Sequence, residues 1–154
     1  MIIIELNFKK WNLGTQFNIW NKSKNKFVKI EALFDTGAHT SAIDTNVFFN
    51  LGYDLEDAAK SYISTATGSR EAVHRIRIEK IMLDNTPLNN VLFNTFDFPW
   101  RSYPAVIGMN IIRQFKIDMD FKNRLLTMSE NYIDENDEYY DSDIFGDWRI
   151  DNAD

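Results

Sequence analysis

Ala32-Leu33-Phe34-Asp35-Thr36-Gly37-Ala38 places an acid at the end of an apolar run. A carboxylate in that position is costly to bury unless its charge is handled. Thr36 supplies a hydroxyl donor, and Gly37 lets the backbone turn sharply and approach a ligand closely. A chain presents a carboxylate at the floor of a cleft in this way, where it can exchange protons with what the cleft holds. The same residues also fit an Asx-type turn at a strand end. The motif occurs once in 154 residues.

The element that positions Asp35 is the segment Lys26 to Phe34. It alternates Phe27, Val28, Ile30 and Ala32 and then becomes continuously apolar, the pattern of a strand that starts half exposed and ends buried. Before it, Gln16 to Trp20 reads as a strand, and the polar turn Asn21-Lys22-Ser23-Lys24-Asn25 joins the two in a hairpin. Ile2 to Phe8 reads as another strand. After the acid, Ser41-Ala42-Ile43 is short and extended. Asp44-Thr45 caps a helix through Val47-Phe48-Phe49 that Gly52 closes. Tyr62 to Phe96 is strand-like, with a turn at Asp84-Asn85-Thr86-Pro87. Phe98 to Pro104 is a loop with large side chains. Met109 to Arg113 gives one turn of helix, and Phe115–Phe121 with Arg124–Ser129 a last hairpin around Lys122-Asn123.

The length suits one domain with a real core. Residues 1–129 form that domain, and 130–154 are a tail of different character. The net charge of −6 divides unevenly, with the tail at −9 and the body at +3. The tail's acidic bias argues against a packed core. Its Ile133, Tyr139, Tyr140, Ile144, Phe145, Trp148 and Ile150 are nonetheless too many large apolar residues for a purely solvated segment.

Cysteine is absent, so there is no disulfide framework and no thiolate chemistry. Two histidines, His39 and His74, are too few for a histidine metal cage, and no metal or other cofactor is expected. A body charge of +3 without a basic cluster is a poor phosphate footprint, which argues against nucleic acid as a partner. No apolar run approaches the roughly 18 residues of a membrane span, and Met1-Ile2-Ile3-Ile4 is too short for a secretory signal. The expectation is a soluble, cytoplasmic protein without a membrane partner.

Asp35-Thr36-Gly37-Ala38 behind an apolar strand, followed by Thr40-Ser41-Ala42-Ile43, resembles the active-site segment of retropepsin-like aspartic proteases. Ser64-Thr65-Ala66-Thr67-Gly68-Ser69 stands where that family places its flap, a glycine-tipped hairpin over the cleft. Val106-Ile107-Gly108 is similar to the family's second signature, and Phe115 to Asp120 to the strand after it. The resemblance spans roughly Phe27 to Ser129 and leaves out the tail.

The resemblance implies an all-β single-lobe acid-protease fold, a closed β-barrel with one or two short helices and a flap hairpin. It implies an aspartic endopeptidase without metal or organic cofactor. Asp35, Thr36 and Gly37 take the catalytic positions, and Ala38, Ala66, Thr67, Gly68 and Ser69 the substrate-binding ones. One Asp-Thr-Gly supplies half of the carboxylate pair such an enzyme needs. The other half must then be Asp35 of a second copy, met across the two-fold axis of a homodimer. The Thr36 hydroxyl would bond across that interface, and the Gly37 backbone would fix the carboxylates. The expected partners are the second copy and a peptide or protein substrate.

Two other readings keep the fold. One is a catalytically silent peptide-binding or adaptor module, and the other gives the acidic tail an autoinhibitory role. Asp44 reads as a helix cap, and Asp118 and Asp120 as solvated or paired acids. His39 reads either as a group tuning the cleft or as a surface turn residue. Trp100 and Tyr103 either line a subsite or cover the barrel end.

Relatives with two lobes often carry a hydroxyl residue where Ala38 stands, and a hydroxyl favours the charged carboxylate. Ala38 has none, so the pH–rate profile of peptide hydrolysis is expected to be less acid-shifted than theirs. A rate that peaks below about pH 3 and vanishes by about pH 5 would contradict this.

Overall fold

The computed structural model describes residues 1–9, 12–56, 58–65, 67–100 and 102–130. Ala66 and the tail from residue 131 onward, with the roles expected of them, lie outside the described residues. The apolar start of the chain makes two short strands, β1 (Ile2–Glu5) and β2 (Asn7–Lys9), instead of one. The break falls at Leu6, which is buried and whose N–H donates to the Arg124 carbonyl at 2.8 Å. β3 (Asn12–Asn21) and β4 (Lys26–Phe34) form the expected hairpin. Asn21 Oδ1 accepts from the Lys24 N–H (3.0 Å), and Asn25 takes the positive φ that Asn tolerates in such turns. Phe17 and Ile19 of β3 face inward with the period of a strand.

Then follow β5 (Ser41–Asp44), α1 (Thr45–Asn50), β6 (Ala59–Ser64), β7 (Arg70–Leu83), β8 (Thr86–Phe96), β9 (Ala105–Ile107), α2 (Met109–Ile112), β10 (Phe115–Asp120) and β11 (Leu125–Glu130). α1 and its exit at Gly52 (φ +87°) agree with the sequence. Asp44 does not act as expected. It occupies the N-cap position of α1, yet its side chain makes no capping bond. Its Oδ1 instead accepts from the Phe98 N–H (3.0 Å), and its own N–H donates to the Pro104 carbonyl (2.9 Å), so Asp44 fastens both ends of the aromatic loop after β8. Asp120 closes the last hairpin. Hydrogen bonds from the backbone N–H (2.9 Å) and side-chain amide (2.7 Å) of Asn123, the backbone one foremost, hold its pKa below the usual carboxylate value.

The strands form two sheets. β1, β11 and β10 make a three-stranded antiparallel sheet, and the other eight run in the order β2-β3-β4-β9-β5-β8-β7-β6. β3 also meets β7 at Asn18↔Met82 and Ile19↔Ile81, which curls the larger sheet back on itself. The expected all-β class is what forms. Its barrel is this curled sheet, joined by two residue pairs, and not a continuous cylinder. β5 and β9 lie mid-sheet, and Ala42, Ile43, Ala105, Val106 and Ile107 are buried whichever face they take. Ile19, Ile43, Ile78, Ile81, Leu88 and Val91 lose all exposure in the core, each contributing about 1.5–3 kcal/mol of hydrophobic stabilisation. Phe17 and Phe93 pack there with ring centroids 5.9 Å apart. No helix of the described residues is long and apolar enough to cross a membrane.

Tyr53 pins α1 to the β3–β4 hairpin. Its ring stacks on Phe48 (5.0 Å), Lys22 Nζ lies over it (4.6 Å), and its hydroxyl donates to the Trp20 carbonyl (2.7 Å). Burial, and then the negative charge of Glu79, raise its pKa above the ordinary tyrosine value. A raised pKa means that the fold favours the neutral phenol. The resulting stabilisation is whole below the unfolded value of about 10 and is lost as pH rises through the folded value. Denaturant midpoints at about pH 9 and about pH 11 should therefore fall less steeply in Tyr53→Phe than in the wild type. Equal falls would show that this phenol is not linked to unfolding.

Candidate active site

Three strands converge behind Asp35. β4 runs parallel to β9 with Phe34 opposite Ile107, and β5 runs antiparallel to β9 with Ala42 opposite Val106. The Asp35 N–H donates to the Ile107 carbonyl (3.0 Å), which carries the pairing one residue past the end of β4. The chain then turns. The Ala38 N–H donates to the Asp35 carbonyl (3.2 Å), and the Gly37 N–H donates to Asp35 Oδ1 (2.8 Å). The other carboxylate oxygen has no hydrogen-bond donor among the described residues. Thr36, Gly37 and His39 are exposed in the single chain.

The turn is clamped from beneath. At the start of α2, the N–H groups of Met109 and Asn110 donate to the carbonyls of Ala38 (2.7 Å) and His39 (3.0 Å). Asn110 Oδ1 accepts from both the N–H and the hydroxyl of Ser41 (2.8 Å each), and its Nδ2 donates to the Leu92 carbonyl (2.9 Å). The Gly108 N–H donates to Ser41 Oγ (2.9 Å). Ser41 and Asn110 have no exposed surface, and this network satisfies the polar groups that their burial takes from water. Gly108 explains the apolar-apolar-glycine signature. A Cβ there would stand 2.8–2.9 Å from backbone atoms of Ala38, Thr40 and Ser41.

Asp35, Gly37, Ala38 and His39 open onto a cavity of about 780 Å³. Tyr62, Ile63 and Ser64 of β6 wall one side of it, and Phe96, Trp100 and Tyr103 another. β6 and β7 form the expected glycine-tipped hairpin, closed by Gly68 N–H to Thr65 O (3.0 Å) and Thr65 N–H to Ser69 O (2.8 Å), with Gly68 at φ +83°. Its strand, not its tip, faces Asp35. Thr67, Gly68 and Ser69 are exposed and are not among the residues lining the cavity. The hydroxyls of Thr65, Thr67 and Ser69 lie within 3.0–3.3 Å of one another in sequence along the turn.

Trp100 and Tyr103 both line the cavity. Tyr103 is only 2% exposed and donates to Asn7 Oδ1 (3.2 Å). Trp100 is 40% exposed and packs on Phe98 (4.7 Å) and Phe96 (6.2 Å). Asn110 escapes sequence reasoning, although a lone amide inside Met109-Asn110-Ile111-Ile112 was a signal of a buried polar contact. Two further lining residues, Arg75 and Asn94, are also unanticipated. Among the described residues no three His, Cys, Asp or Glu side chains gather to hold a metal ion.

The family model of a gag-polyprotein putative aspartyl protease matches residues 23–114, from the β3–β4 turn to the end of α2. The chain belongs to this family. No curated protein matches it. Among solved structures, the chain is similar to a retropepsin-like aspartic protease from Rickettsia conorii. Identity is 20% over 82% of this chain and 88% of that one, with a TM-score of 0.59. It is similar too to the retroviral protease-like domain of Ddi1 from Leishmania major, at 19% identity over 84% of this chain and 99% of that one, with a TM-score of 0.51. The fold is therefore that of the retropepsin-like aspartic proteases, as the sequence resemblance implies.

The backbone atoms facing Gly108 have no room to give without moving the Asp35 turn. Gly108→Ala is expected to cost about 1–3 kcal/mol of stability by overpacking and to speed amide exchange at Ala38 to Ser41. Gly68→Ala, where no atom lies within 4 Å of the added methyl, should leave exchange at those positions unchanged. Unaltered exchange in Gly108→Ala would show that the turn is not held by this contact.

Proposed function

We propose that this chain is an aspartic endopeptidase, active as a homodimer, that hydrolyses peptide bonds with a water activated between two Asp35 carboxylates. The observation that carries the reading is the placement of Asp35. It stands on a clamped turn at the floor of a cavity large enough for several peptide residues, with one oxygen held by Gly37 N–H and the other without a donor among the described residues.

Two carboxylates held close share one proton, because both cannot ionise. The ionised one takes a proton from the water as the water attacks the peptide carbonyl carbon. The protonated one donates toward the carbonyl oxygen. The tetrahedral diol then collapses as a proton passes to the leaving nitrogen and the C–N bond breaks. One chain supplies one Asp35, so the pair requires a second copy across a two-fold axis. The exposure of Thr36 and Gly37 supports this reading, since both are open to a partner. An extended peptide lying between the floor and β6 can add main-chain hydrogen bonds there and place alternate side chains in the cavity.

The test is a peptide-library digest with wild type and Asp35→Asn, each checked for mass in solution. Wild type should cleave as a dimer and lose specific activity on dilution. Asp35→Asn should remain folded and cleave roughly 10²–10⁴-fold more slowly. Equal cleavage by both, or cleavage by a strict monomer, would overturn the mechanism. Binding without cleavage by either protein would identify a peptide-binding module.

A further inference from the structure

The Asp35 cavity holds a polar pair that the proposed chemistry does not use. Arg75 on β7 and Asn94 on β8 are directly paired across the sheet, and both line the cavity. Asn94 is only 5% exposed, and its Oδ1 is buried without a hydrogen-bond partner. Arg75 is half-buried, and its Nε is likewise buried and unpartnered. The guanidinium has no ion pair with any described residue. Its sequence neighbour Arg77, two residues on and exposed, donates to the Asn90 carbonyl (3.0 Å), so the two arginines of the strand meet different surroundings.

A buried guanidinium N–H and a buried amide oxygen without partners are unfavourable in the free protein. The Arg75 Nε–H suits a ligand group that accepts, whereas the Asn94 oxygen, as placed, lacks a donor. The guanidinium is a planar fork that fits a carboxylate through two parallel hydrogen bonds. The Asn94 amide, turned about its last bond, can present Nδ2 to the same anion. Asp35 is the sole acid among the described residues lining this cavity, and its turn is clamped by β9 and α2, as described above. A carboxylate to meet Arg75 would therefore come from outside the described residues.

We infer that Arg75 and Asn94 form a subsite for the acidic side chain of a peptide bound in the Asp35 cleft. The inference rests on the peptidase reading for the identity of the ligand as a peptide. It names what that peptide must carry, an Asp or Glu near the bond to be cut. A carboxylate at the peptide's own C-terminus offers the same chemistry, but an endopeptidase acts within a chain, so a side chain is the source expected.

The test uses full-length protein and peptide pairs that differ only by Glu and Gln at each position in turn, all amidated at the C-terminus. Wild type should favour Glu over Gln in kcat/KM at one position on each side of the cut bond by about 10- to 100-fold, the usual value of hydrogen bonds to a charged group. Arg75→Gln should abolish that preference, so that its kcat/KM values for the Glu and Gln peptides are equal. Asn94→Asp, which places a carboxylate beside Arg75, should remove or invert the preference, and it serves if Arg75→Gln fails to fold. No preference in wild type, or one that survives both substitutions, would overturn the inference. So would a preference for acid seen with free C-termini and lost on amidation. If wild type cleaves nothing, the peptidase reading fails by itself. Fluorescence anisotropy of labelled Glu and Gln peptides on Asp35→Asn and on Asp35→Asn/Arg75→Gln then decides the subsite by the same criterion.

Discussion

The hydrogen bonds between Ser41, Gly108 and Asn110 hold the candidate site in place. The turn that carries Asp35 has little packing of its own, since Thr36, Gly37 and His39 are exposed. Its shape is imposed from below, by Ile107, Met109 and Asn110 backbone groups and by the Asn110 amide. A single buried side chain there satisfies two donors of Ser41 and the carbonyl of Leu92. Were it absent, each stranded group would cost about 1–3 kcal/mol. The clamp also needs the backbone of β9 to come against residues 38–41 without a side chain between them, which is why glycine stands at 108. The clamp links segments 67–69 residues apart, so the site is rigid only once the whole curled sheet has assembled.

That separation also explains what the sequence shows and hides. Turn chemistry and apolar periodicity are local, so the β3–β4 hairpin, α1 with Gly52 and the last hairpin are readable from neighbouring residues. Asp35-Thr36-Gly37 and Ile107-Gly108 are readable as motifs. What each motif is tied to is not local. Asp44 looks like a helix cap because it precedes Thr45, and only the folded chain shows that Phe98 N–H competes for its carboxylate and wins. Alternation in Arg75-Ile76-Arg77-Ile78 shows that Ile76 and Ile78 face the core and the arginines the other side. It does not show that the other side is solvent for Arg77 and the walled cavity for Arg75. The same holds at the glycine-tipped hairpin. Gly68 marks the tip, but the residues that line the cavity, Tyr62, Ile63 and Ser64, come from the strand before it, and of these only Ser64 falls within the glycine-tipped segment.

Proposed catalysis and proposed selectivity meet in one symmetry argument. In the proposed enzyme a chain with one Asp35 at its cleft floor would borrow the other from a second copy, and a two-fold axis through the pair would return every feature of the cleft in duplicate. The Arg75–Asn94 subsite would then lie on both sides of the bond to be cut, at equal distances and in opposite chain directions. A peptide has a direction and the dimer does not, so the substrate fills the two subsites with different residues. One acidic side chain is enough to satisfy one guanidinium, and the other remains half-buried toward solvent. Affinity would therefore rise for peptides with acids on both sides of the cut. The register of cleavage would be set by whichever acid lies at the right spacing from the bond. In this proposal the carboxylates at the floor would supply chemistry indifferent to sequence, and the guanidiniums on the wall, absent from any motif, would supply the discrimination.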